Sequence, residues 1–106
     1  MAKYMLAVNY VGDGIQGLIK DGGTKRRAVA AKAVESVGGR LESFYYAFGE
    51  ADAYLIAEVP DNVTMAALAI TINASDVVAV RTTVLLTCEE IDAAVKTTAK
   101  YKPPKA

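Results

Sequence analysis

The chain has 106 residues, enough for one domain around one core. Twelve basic and twelve acidic residues cancel, which excludes the electrostatic footprint of a nucleic-acid binder or of a polybasic membrane-surface protein. No histidine and a single cysteine, Cys88, exclude a Ser-His-Asp triad, an HExxH zinc site, a His-ligated haem and an internal disulfide framework.

The start, "MAKYMLAVNYVGDG", carries one lysine and an apolar run broken by Asn9. It lacks the long apolar core of a signal peptide, and no run approaches the roughly 18 apolar residues of a membrane span. The chain therefore reads as cytoplasmic, with no membrane partner. Lys3 to Val11 is rich in strand formers and reads as a first strand. The glycine-rich "GDGIQGLIKDGG" follows, with Ile15, Leu18 and Ile19 spaced for a short helix. Thr24 is placed to cap a second helix, whose apolar stripe is Val29, Ala30, Ala33, Val34 and Val37 and whose stop is Gly38-Gly39.

"RLESFYYAF" reads as a second strand and "DAYLIAEV" as a third, joined by a turn at Glu50-Ala51. Pro60 stops the third strand, and Asp61 can cap the next helix. "VVAVRTTVLL" is the fourth strand. Thr87 and Glu90 then form a capping-box pattern at the start of a last helix. Residues 1–100 read as one domain and residues 101–106 as a disordered tail.

With right-handed crossovers, this order gives an α+β ferredoxin-like fold: a four-stranded antiparallel sheet, order 4-1-3-2, with its helices on one face. Strand alternation sorts the side chains. Leu6, Val8, Phe44, Tyr46, Phe48, Ala53, Leu55, Ala57 and Val59 fall on the face that meets the helices. Met5, Ala7, Asn9, Leu41, Ser43, Tyr45, Ala47, Tyr54, Ile56, Glu58, Arg81, Thr83 and Leu85 fall on the other. That second face is too apolar to leave in water and too polar for a dry core. With 53% hydrophobic residues and a mean hydropathy of +0.22, the pattern predicts a homo-oligomer, at least a dimer, built through the open sheet face.

The order of "YMLAVNY", "GGTKRRAVAAKAVESVGGRLESFYYAFGEAD", "VPDN" and "VRTTVLLT" along the chain resembles the GYD-domain family, small bacterial proteins of unassigned role. The family is similar to the dimeric α/β-barrel group, so the resemblance implies ferredoxin-like units stacked by their open sheet faces. Gly49 and Asp52 match the family's naming motif. Ala51 stands where its tyrosine usually is.

The candidate ligand-binding residues are Asn9, Tyr45, Asp52, Tyr54, Glu58 and Arg81. Tyrosines offer apolar walls with polar tips, and Asn9 offers a donor and an acceptor. The same side chains would also orient an interface between copies, with Glu58 and Arg81 paired, and Asp52 would hold its own turn. "GLIKDGGT" lacks the Lys-Ser/Thr of a phosphate loop, so Lys20, Lys25, Arg26 and Arg27 read as a solvated helix corner. Neither a metal nor a cofactor is expected. The leading reading is a small-molecule-binding or regulatory module. The alternatives are a cofactor-free monooxygenase or isomerase, as the resemblance implies, and a structural self-assembling protein.

Overall fold

The computed structural model describes residues 1–104. The element order is β1 (Ala2–Tyr10), α1 (Gly14–Asp21), α2 (Gly23–Ser36), β2 (Arg40–Tyr46), β3 (Ala53–Val59), α3 (Asn62–Asn73), β4 (Val78–Leu85) and α4 (Cys88–Lys96). The four strands form one antiparallel sheet in the order β2-β3-β1-β4, as the sequence pattern predicts. Residues 101–104 carry no helix or strand, and the last two residues of the expected tail lie outside the described residues.

Alternation decides what the helices cover. Tyr4, Leu6 and Val8 of β1 and Ala53, Leu55, Ala57 and Val59 of β3 point to one face, where Val34 of α2 and Met65 and Leu68 of α3 bury them. Each large aliphatic side chain sealed in this way contributes roughly 1.5–3 kcal/mol. Tyr4 is buried yet satisfied, because its hydroxyl donates to Asn62 Oδ1 at 2.6 Å and so ties β1 to the start of α3.

The helix ends follow local chemistry. Asp61 accepts the Thr64 amide at 2.8 Å and caps α3; these bonds to Thr64 hold its carboxyl below the usual carboxylate range, outweighing the upward push of burial. Thr87 and Glu90 complete a capping box on α4. The Gly38 and Gly39 amides close α2 onto Glu35 and Val34 carbonyls. Thr24, expected as the cap of α2, instead lies inside its first turn. Gly22, at φ 80°, both ends α1 and starts α2 without a side-chain cap. Gly14 is fixed by close approach: a Cβ there would sit 1.9 Å from the Val77 carbonyl oxygen.

Three expectations for the β2–β3 hairpin need correction. Glu50-Ala51 is not a two-residue turn. Tyr46, which such a turn would set opposite Leu55, lies opposite Ala53, and the Ala47 amide donates to the Asp52 carbonyl at 2.8 Å across a longer loop. This two-residue slip preserves the faces, since side chains alternate with period two. It does release Phe48 from the strand, and Phe48 is fully exposed instead of facing the helices. Leu41 also changes face. A bulge lets Leu41 oppose Ala57 and Ser43 oppose Ile56, so the extra residue, Glu42, reverses alternation and Leu41 packs against the core.

α2 packs on β2 and α3 on β4, and the two helices barely touch. Between them lies an apolar cleft of about 110 Å³ over Leu6, Val8 and Leu55, walled by Val29, Ala33 and Ile72 and reaching Arg26. The chain from Leu86 onward behaves differently. Every described residue of it is exposed, α4 included, and α4 makes no more than marginal contact with any other element.

Candidate functional site

The strand registers arrange the open face in rows that cross all four strands. Tyr45 opposes Tyr54, Tyr54 opposes Ala7, and Ala7 opposes Arg81. The next row is Ser43, Ile56, Met5 and Thr83, and the one after that is Arg40, Glu58, Lys3 and Leu85. In the first row the small Ala7 stands between Tyr54 and Arg81. Tyr45 is 74% exposed and Tyr54 38%, unusual for tyrosines paired directly across two strands and a sign of a face with no cover from its own chain.

The structure brings Asn9, Asp52 and Arg81 to this end of the sheet, where β1 meets the β2–β3 loop. Asn9 Nδ2 donates to the Glu50 carbonyl at 3.1 Å, and Arg81 donates to Asn9 Oδ1 at 3.4 Å. The Asp52 amide donates to the Val8 carbonyl at 2.8 Å, and Asp52 Oδ2 accepts the Tyr10 amide at 2.8 Å. Asp52 thus continues the β1–β3 ladder with its own carboxylate. Ala51, at the family tyrosine's position, is completely buried beside it.

Glu58 does not join this group. It lies four residues along β3 from Tyr54, roughly 13 Å away at strand rise. Its partners are Lys3 at 3.5 Å and Arg40, and Lys3 also binds Glu42 at 2.8 Å. The expected Glu58–Arg81 pair is therefore absent; Arg81 reaches Asn9 instead. Burial pushes the Glu58 carboxyl up, but the hydrogen bond and charge of Arg40, with help from Lys3, hold it below its ordinary value. The Glu42 hydrogen bond outweighs burial at Lys3 and raises that amine.

Ala7, Lys3 and Arg40 were not among the expected site residues. Alternation already assigned Ala7 to this face, and its small size between two larger neighbours was the available signal. Lys3 shares the parity of Met5 and Ala7 on β1, whereas Arg40 needed the β2 register, which the bulge at Glu42 obscures.

A second polar cluster lies on the helix side. Tyr46 packs edge-on against Phe44 at 5.0 Å between ring centroids and donates its hydroxyl to the Gly23 carbonyl at 2.9 Å. Burial, with Tyr10 beside it, pushes the Tyr46 phenol up to about 12 despite nearby Arg26. Asp21 holds Lys25 and Arg26, each at 3.6 Å.

Among the described residues no three His, Cys, Asp or Glu side chains gather closely enough to hold a metal ion, and no helix is long and apolar enough to cross a membrane. What the open face can do chemically is hold a flat or anionic group. Arg81 has no ion-pair partner among the described residues, and the tyrosines give it aromatic walls.

Comparison with known proteins returned no match among curated proteins and none among solved structures. The family model of the GYD domain matches residues 4–95, which is nearly the whole chain. With the sheet order and that match together, the chain belongs to the GYD-domain family.

Proposed function

We propose that this chain is a small-molecule-binding module that works as a homo-oligomer, with its open sheet faces stacked and the ligand held against the Tyr45–Tyr54–Ala7–Arg81 row. One observation carries this reading: the helices cover one side of the sheet, and the other side carries half-buried Met5 and Ile56 beside exposed tyrosines and a guanidinium with no ion-pair partner among the described residues. Stacking would remove the apolar part from water, and the small Ala7 side chain would leave room for a guest. Asn9 orients Arg81, and Asp52 fixes the loop beside it. Glu58 serves the ionic row at the far end. The enzyme reading is weaker, because the Asp52 carboxylate already accepts a backbone amide and so makes a poor base.

Native mass spectrometry of untreated protein tests the proposal. The expected result is an assembly of at least two subunits with a small molecule retained. Tyr54→Glu, which would bury an unpaired charge, separates the subunits. Asn9→Ala keeps the assembly and loses the guest. A single-subunit mass for the unsubstituted protein would remove the oligomer, and an assembly with no guest would leave a purely structural one.

A further inference from the structure

Three features have no role in that reading: the uncovered α4, the cleft between α2 and α3, and the basic corner where α1 meets α2. We propose that they form one interface, in which α4 of one copy docks into the α2–α3 cleft of a second copy.

α4 needs a partner. It has nine residues, and isolated helices shorter than about 12–15 residues are marginal in water. Its capping box is complete, but its own chain gives it no more than marginal packing. Cys88, Ile91 and Val95 recur at i, i+3 and i+7 and form one apolar stripe, with Ile91 46% and Val95 77% exposed. Glu89 and Asp92 flank that stripe on one side, while Glu90 is held in the cap.

The cleft matches it in size and charge. Its volume of about 110 Å³ is below the ~150 Å³ that takes up benzene, the scale of one branched aliphatic side chain. The small Ala30 and Ala33 on α2 leave that space open against Leu68 and Ile72. At one end stands Arg26, shared with Asp21 at 3.6 Å, and Arg27 is exposed beside it without an ion pair among the described residues. An acidic flank on α4 meets a basic rim.

The cleft of the same chain is out of reach. Its β4 wall is Val78 and Val80, at the end of that strand far from α4. Only Leu86 and Thr87 link β4 to α4, and the three steps from Leu85 to Cys88 span at most about 10 Å. The basic rim lies at the Tyr10–Val78 end of the sheet, and Leu85 leaves from the Lys3 end, seven residues or roughly 23 Å along the strand. The occupant is therefore a second copy, and in a two-fold pair the contact occurs twice.

Cys88, the chain's one cysteine, reports the docking without any added label. Its reaction with a thiol reagent is followed in the full-length protein at about 1 and about 100 μM. The expected result is at least a tenfold slowing at the higher concentration. Ile91→Glu, in an arm with no more than marginal contact to its own chain, abolishes the slowing, and so does Ala33→Leu, which fills the cleft from inside. Arg26→Glu weakens the protection, and Glu89→Arg added to it restores it. Tyr54→Glu leaves it unchanged, which separates this interface from the sheet-face stack. Equal reactivity at both concentrations overturns the proposal, as does protection that survives Ile91→Glu or Ala33→Leu, or that disappears with Tyr54→Glu.

Discussion

Leu55 and Tyr54 are consecutive residues of β3 in opposite surroundings. Leu55 is 5% exposed under the helices, and Tyr54 is 38% exposed on the bare side. The covered face is held by apolar volume, the bare face by rows of hydrogen bonds and ion pairs that still touch water. The difference shows where this chain keeps its stability and which side of the sheet its own helices leave bare. A substitution on the covered face should act on folding, and one on the bare face on association.

The largest effect should come from Leu55→Ala. Removing a buried leucine costs its transfer energy plus a cavity, about 3 kcal/mol of unfolding free energy in a urea titration. A loss below about 1 kcal/mol would mean that the neighbouring cleft lets the site collapse. Next is Tyr46→Phe, at the rim of the covered face. It removes the hydrogen bond to Gly23 and costs about 1 kcal/mol. It also changes the alkaline limb. The Tyr46 phenol is raised to about 12, so the folded state favours its neutral form. That contribution is complete below about 10, the unfolded value, and is lost as pH rises through the folded value. Stability between about pH 10 and 12 should therefore fall less steeply in the phenylalanine variant.

Smaller still is Glu58→Gln on the bare face. Glu58 is lowered, so its contribution is present above about 4.3, the unfolded value, and is lost as pH falls through the folded one. Acid titration of the glutamine variant should show a shallower loss below pH 5; an unchanged curve would mean that Lys3 and Arg40 stabilise the carboxylate equally when unfolded. Least of all is Tyr45→Ala, measured at concentrations where the chain is single. At 74% exposure it should change unfolding by less than about 0.5 kcal/mol. A larger cost would show that the bare face packs within one chain after all.

Much of this division was legible in the residues because strand alternation depends only on parity. The hairpin register was displaced by two residues, and Tyr45, Tyr54, Leu55 and Ala57 kept their expected faces. One extra residue was enough to misplace Leu41. The signal was the odd spacing from Leu41 to Phe44, two apolar residues that both pack inward. Side-chain caps at Asp61 and Thr87 were readable since the capping groups are local, whereas the start of α2 was set by the backbone of Gly22. In the candidate site, Asn9 and Arg81 meet as the topology requires. Glu58 was grouped with them because alternation gives the face and not the distance along the strand.

The arm beyond β4 also affects how the protein moves through a solvent. Its radius of gyration is 16.9 Å, against about 13 Å for a compact chain of 100 residues, and its longest extent is 55 Å. Such a particle has more friction than its mass implies. On a gel-filtration column calibrated with compact standards, a single chain would elute early, at the position of a heavier sphere. An arm tucked into a neighbour would lower the friction per subunit, so an assembly would elute closer to its true mass than its own monomer does.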